Sequence, residues 1–126
     1  MSGNIRKVVI GKGKFFRPDF EIYSDSSLTT PLTNIDLGVL TAPSSKVIPC
    51  YVKNTGNVPM QLEINSVNWN PPVDGSIVFS TDYTSGTILN PGSVIQLLMT
   101  FDISSVIPDI DDFTFEIEFI GSFQSP

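Results

Sequence analysis

Apolar and polar side chains alternate strictly in two stretches of this chain, and that pattern leaves little choice of fold. Residues 47–53 (V-I-P-C-Y-V-K) lead into the turn Asn54-Thr55-Gly56-Asn57-Val58-Pro59, and residues 60–65 (M-Q-L-E-I-N) follow. Residues 113–120 (F-T-F-E-I-E-F-I) repeat the alternation near the other end. Apolar side chains at every second position give a strand one buried and one wet face. The helical period appears over no useful length, so the chain is expected to be all-β.

Further strands are expected at 20–23, 35–40 and 77–81, and a long one at 94–103 with Ile95, Leu97, Met99, Phe101 and Ile103 on one face. Ten prolines and nine glycines punctuate the chain between them. Leu89-Asn90-Pro91-Gly92 reads as a β-turn with Pro and Gly in its central positions. Pro49 cannot donate to a ladder, so its strand should have an edge or a bulge there. About seven antiparallel strands predict a single immunoglobulin-like sandwich over residues 18–126. A chain of 126 residues can bury one core without disulfides or metals.

Residues 1–17 read as a separate arm. Five of the seven basic residues lie there (Arg6, Lys7, Lys12, Lys14 and Arg17), and none of the thirteen acids does. The body is strongly acidic, which argues against nucleic acid and anionic lipid as partners of the main surface. The arm is also apolar, through Ile5, Val8, Val9, Ile10, Phe15 and Phe16. That content favours an arm docked on the sandwich over a free tail, with short strands at 8–10 and 15–16. No apolar run reaches the length of a membrane span, and 8–10 is too short for the core of a signal peptide. The expected location is the cell envelope or the extracellular space for an excised domain, and the cytoplasm for a complete chain.

The composition narrows the chemistry. There is no histidine, which removes the commonest general base and the commonest transition-metal ligand. Cys50 is the single cysteine, and it reads as a small buried apolar residue on the inward face of its strand. Without His neither a triad nor a polarised nucleophile can be assembled, so no enzyme activity and no cofactor are expected.

Longer segments carry a resemblance. F-E-I-Y-S-D-S-S-L-T-T-P-L-T-N-I-D-L-G, V-K-N-T-G-N-V-P-M-Q-L, N-W-N-P and L-N-P-G-S-V-I-Q-L-L-M-T-F together resemble immunoglobulin-like and fibronectin-like modules of archaeal surface and secreted proteins. The resemblance covers about residues 19–122, and its most specific piece is a hairpin around N-T-G-N-V-P. It implies a non-catalytic role in presentation, spacing or assembly outside the cytoplasm. The chain departs from antibody-type domains in lacking a cysteine pair, and Trp69 lies nineteen positions after Cys50.

Candidate sites are few. Asp109, Asp111 and Asp112 share one loop; they could offer hard oxygen ligands to calcium, yet they lack the spacing of a calcium-binding loop and read more simply as a solvated loop. Glu116 and Glu118 read as the wet face of the last strand. Trp69, with Tyr51, Tyr23 and Tyr83, could stack on sugar rings as a carbohydrate-binding platform, against a structural role for Trp69 over the sandwich edge. Tyr51, Leu98 and Ile120 face outward, and if their faces adjoin they expose one apolar patch. Together with Val8, Ile10, Phe15 and Phe16 of the arm, they point to a protein partner or to self-association through sheet faces, edges and strand addition.

Overall fold

The alternating segments do form strands. The computed structural model describes residues 2–73 and 75–125. Six strands follow in chain order: β1 (Glu21–Tyr23), β2 (Ser44–Lys53), β3 (Gln61–Asn70), β4 (Ile77–Thr81), β5 (Val94–Ile103) and β6 (Thr114–Ser122). All pairings are antiparallel, in the order β1-β2-β5-β4 in one sheet and β3-β6 in the other. The described residues contain no helix, hence none long and apolar enough to cross a membrane.

The expected hairpin does not form. β2 lies in the larger sheet and β3 in the smaller one, so residues 54–60 carry the chain between sheets. Asn54 holds this crossover. Its side chain is fully buried; Nδ2 donates to the carbonyls of Val58 (2.8 Å) and Leu89 (2.9 Å), and Oδ1 accepts from the Gly56 N–H (3.0 Å). The crossover is thereby tied to the turn before β5. That turn is as expected: Ser93 N–H donates to the Asn90 carbonyl at 2.9 Å, and Gly92 has φ 79°, the type II arrangement with Pro91 ahead of it.

Among the described residues the strand count is six because residues 35–40 form none. Asp36 accepts the Gly38 N–H at 2.8 Å, and Gly38 turns left-handed at φ 68°, which breaks the extended backbone. The coil still buries Leu37 and half-buries Ile35 and Leu40. The arm segments 8–10 and 15–16 form no strand either. β3 runs past its expected end to Asn70 by a register slip between Val67 and Asn70, where Asn68 takes φ 54°.

Pro49 sits at a local edge, as its chemistry requires. It stands opposite Leu98, whose N–H and carbonyl both bond to Asp82 on the β4 side. Pro49 therefore owes β5 no bond, and β1 ends level with Tyr51. Val52, Cys50, Leu97, Met99 and Phe101 from the larger sheet make the dry centre of the core. Leu62, Ile64, Phe115, Ile117 and Phe119 close it from the smaller sheet.

Candidate functional site

The arm is fastened to the body at one short root. Asn57 accepts the Arg17 N–H (2.8 Å), donates its own N–H to the Arg17 carbonyl (3.0 Å), and donates Nδ2 to the Phe15 carbonyl (2.6 Å). Arg17 Nη1 reaches the Thr55 carbonyl at 3.0 Å, and the Gly56 N–H bonds the Asp19 carbonyl at 3.1 Å. Only glycine fits at position 56, since a Cβ there would lie 2.4 Å from the Arg17 carbonyl oxygen. The Phe16 ring meets Phe123 edge-on at 5.6 Å. Beyond this root, residues 2–14 are exposed, and Val9 and Ile10 are more than 90% exposed. The expectation of a docked arm therefore holds for its root alone.

The smaller sheet has an open edge. Leu62 donates its N–H away from β6, to Tyr83 Oη at 2.9 Å, so Leu62 and its partner Gly121 form a non-hydrogen-bonded pair. By alternation, the N–H and carbonyl groups of Phe115, Ile117, Phe119 and Gly121 point away from β3. No backbone bond among the described residues meets them. The inward side chains of β6 are only half-buried, whereas Leu97, Met99, Phe101 and Ile103 of β5 are all buried.

The residues singled out in the sequence are scattered. Tyr51 and Leu98 share the outer face of the larger sheet with Val47 and Pro49, and the Tyr51 hydroxyl lies 3.4 Å from Gln96 Nε2. Ile120 lies on the outer face of the smaller sheet, opposite Glu63. The single apolar patch is thus not formed, because β2 and β5 belong to one sheet and β6 to the other. Trp69 has its ring stacked on Phe115 at 4.6 Å and 19°, and its Nε1–H bonds Ser66 Oγ. Tyr83 is taken up by Leu62 and by the Thr87 carbonyl, to which its hydroxyl donates at 2.7 Å. Trp69 and the tyrosines do not converge on one platform, since Trp69 spends a face on the core.

The acidic candidates remain apart. Among the described residues no three carboxylate or thiol groups converge to hold a metal, and Asp109, Asp111 and Asp112 stay in their loop. Glu116 and Glu118 lie on the wet face of β6. Cys50 is fully buried, and burial, with Asp82 adding to it, pushes its thiol up to about 11. No family model matches the chain. No curated protein and no solved structure matches it either. Sequence reasoning missed the open edge of β6 and the clasp of Asn57 on the arm root. Asn57 was legible as a turn residue, but its partner lies 40 positions away.

Proposed function

We propose that this chain is a non-catalytic interaction module that self-associates through its arm and its sheet edges, within a cell-envelope or extracellular assembly. The observation that carries the reading is the arm. Its root is anchored by five hydrogen bonds around Asn57 and Gly56, yet Val8 and Ile10 stand in water. Large side chains stabilise by roughly 1.5–3 kcal/mol each when buried, so an anchored arm that exposes them is suited to covering another surface. The strand order supports the immunoglobulin-like reading: β1-β2-β5-β4 matches strands A-B-E-D of that sandwich, and β3-β6 matches C-F. The absence of histidine supports a role without catalysis.

Light scattering tests the reading on the full chain and on one lacking residues 1–14, which keeps the root. The full chain is expected to exceed 13.8 kDa in a concentration-dependent way, more so at low salt, and the shortened chain to be monomeric. A full chain that stays monomeric at every concentration and salt would refute it.

A further inference from the structure

The sandwich is one strand short beside β6. In the immunoglobulin-like arrangement a third strand, G, pairs with the strand that β6 represents. Here that position holds a groove of about 270 Å³, lined by the half-buried Ile22, Leu32, Ile35, Phe115, Ile117 and Phe119 and by the polar Thr33, Asn34 and Glu116. An apolar cavity of roughly 150 Å³ already takes a benzene ring, so this groove has room for more than one side chain. Along its rim run the unpaired N–H and carbonyl groups of Phe115, Ile117, Phe119 and Gly121. Apolar floor and open ladder together are what an added strand requires.

We propose that residues 4–12 of a second copy's arm lie along the free edge of β6 as an added strand, with Val8 and Ile10 in the groove. The proposal rests on the self-association put forward above and names its acceptor. Nine residues of arm match the nine residues of β6. With Val8 and Ile10 inward, Lys7 faces outward beside Glu116 and Glu118, so a basic strand meets an acidic one. Arg6 and Lys12 fall at the two ends, where the groove meets water. A chain's own arm leaves the body where Phe16 meets Phe123, beyond the C-terminal end of β6. Folding back along its own β6, it would run parallel. A second copy's arm is free to pair antiparallel, the stronger ladder. Such a contact joins two different surfaces, so it propagates head to tail into rings or filaments.

Three full-length variants, one of the donor and two of the acceptor, separate donor from acceptor. Val8→Asp with Ile10→Asp spoils the arm, whose residues are exposed, and leaves the body alone. Ile117→Pro removes an edge N–H that β3 does not use, along with a side chain packed on the core; Glu116→Lys with Glu118→Lys is a second acceptor variant that leaves the core untouched. The arm variant and Ile117→Pro are each expected to self-associate about thirtyfold more weakly than the parent, the loss of a hot-spot anchor, and the charge-reversed acceptor about fivefold more weakly, as suits exposed charges. Mixed in equal amounts, the donor and acceptor variants should form a species of two chains and nothing larger, because one good arm meets one good groove. If the arm variant fails to associate while both acceptor variants behave as the parent, the arm docks elsewhere; the acceptor assignment falls and self-association stands. If the parent itself is monomeric, both fall.

Discussion

Asn54 is the residue on which two connections depend. Its amide joins the crossover from β2 to β3 with the turn before β5, and all three of its side-chain bonds are to backbone groups. Asn54→Ala leaves the Val58 carbonyl without its partner, while the Leu89 carbonyl keeps the Met60 N–H and the Gly56 N–H keeps the Asp19 carbonyl, so it should destabilise the fold by about 1–3 kcal/mol, read as a lower urea midpoint. Asn54→Asp should cost more, since a carboxylate would face the Val58 and Leu89 carbonyls. A midpoint unchanged by either substitution would contradict this role. Some residues were legible in advance. Cys50 is buried as its place on an alternating strand requires, and Gly92 turns left-handed after Pro91 as the dipeptide dictates. The role of Asn54 was not, because its decisive partner, Leu89, lies 35 positions along the chain.

Strands reveal themselves by alternation, but alternation names a face and not a neighbour. β5 matched its expected limits, and β6 was displaced by a residue or two. The connection between β2 and β3 is rich in turn residues (Asn54, Gly56, Asn57 and Pro59), which suits a hairpin but here builds a crossover between sheets. The expected strand at 35–40 failed for a local reason, the turn that Asp36 makes with Gly38. At the arm root the decisive feature is Gly56. A methyl group at that position collides with backbone at 2.4 Å and 2.5 Å, so Gly56→Ala should lift residues 15–19 from the crossover. Overpacking of this kind costs about 1–3 kcal/mol, so chymotrypsin should cut after Phe16 about tenfold faster or more, with the sandwich otherwise resistant. An unchanged cleavage rate would mean that the root is not held by this contact.

At the scale of the molecule, charge and coverage are divided in a complementary way. The arm carries five of the seven basic residues and stands in water, while the acidic body leaves one side of its core half-covered beside β6. The division of charge could be read directly from the sequence. The uncovered side could not, because it depends on how six strands share two sheets. Hydrogen exchange of individual amides, in the full chain at assembling concentrations and in the chain lacking residues 1–14, tests the arm's destination most directly. The amides of Phe115, Ile117, Phe119 and Gly121 point to the free edge; those of Glu116 and Glu118 already serve β3 and act as internal controls. The arm should slow exchange at the four edge amides by tenfold or more and leave the two controls unchanged, by about the protection a formed ladder confers. Edge amides that exchange equally fast with and without the arm would contradict strand addition at β6.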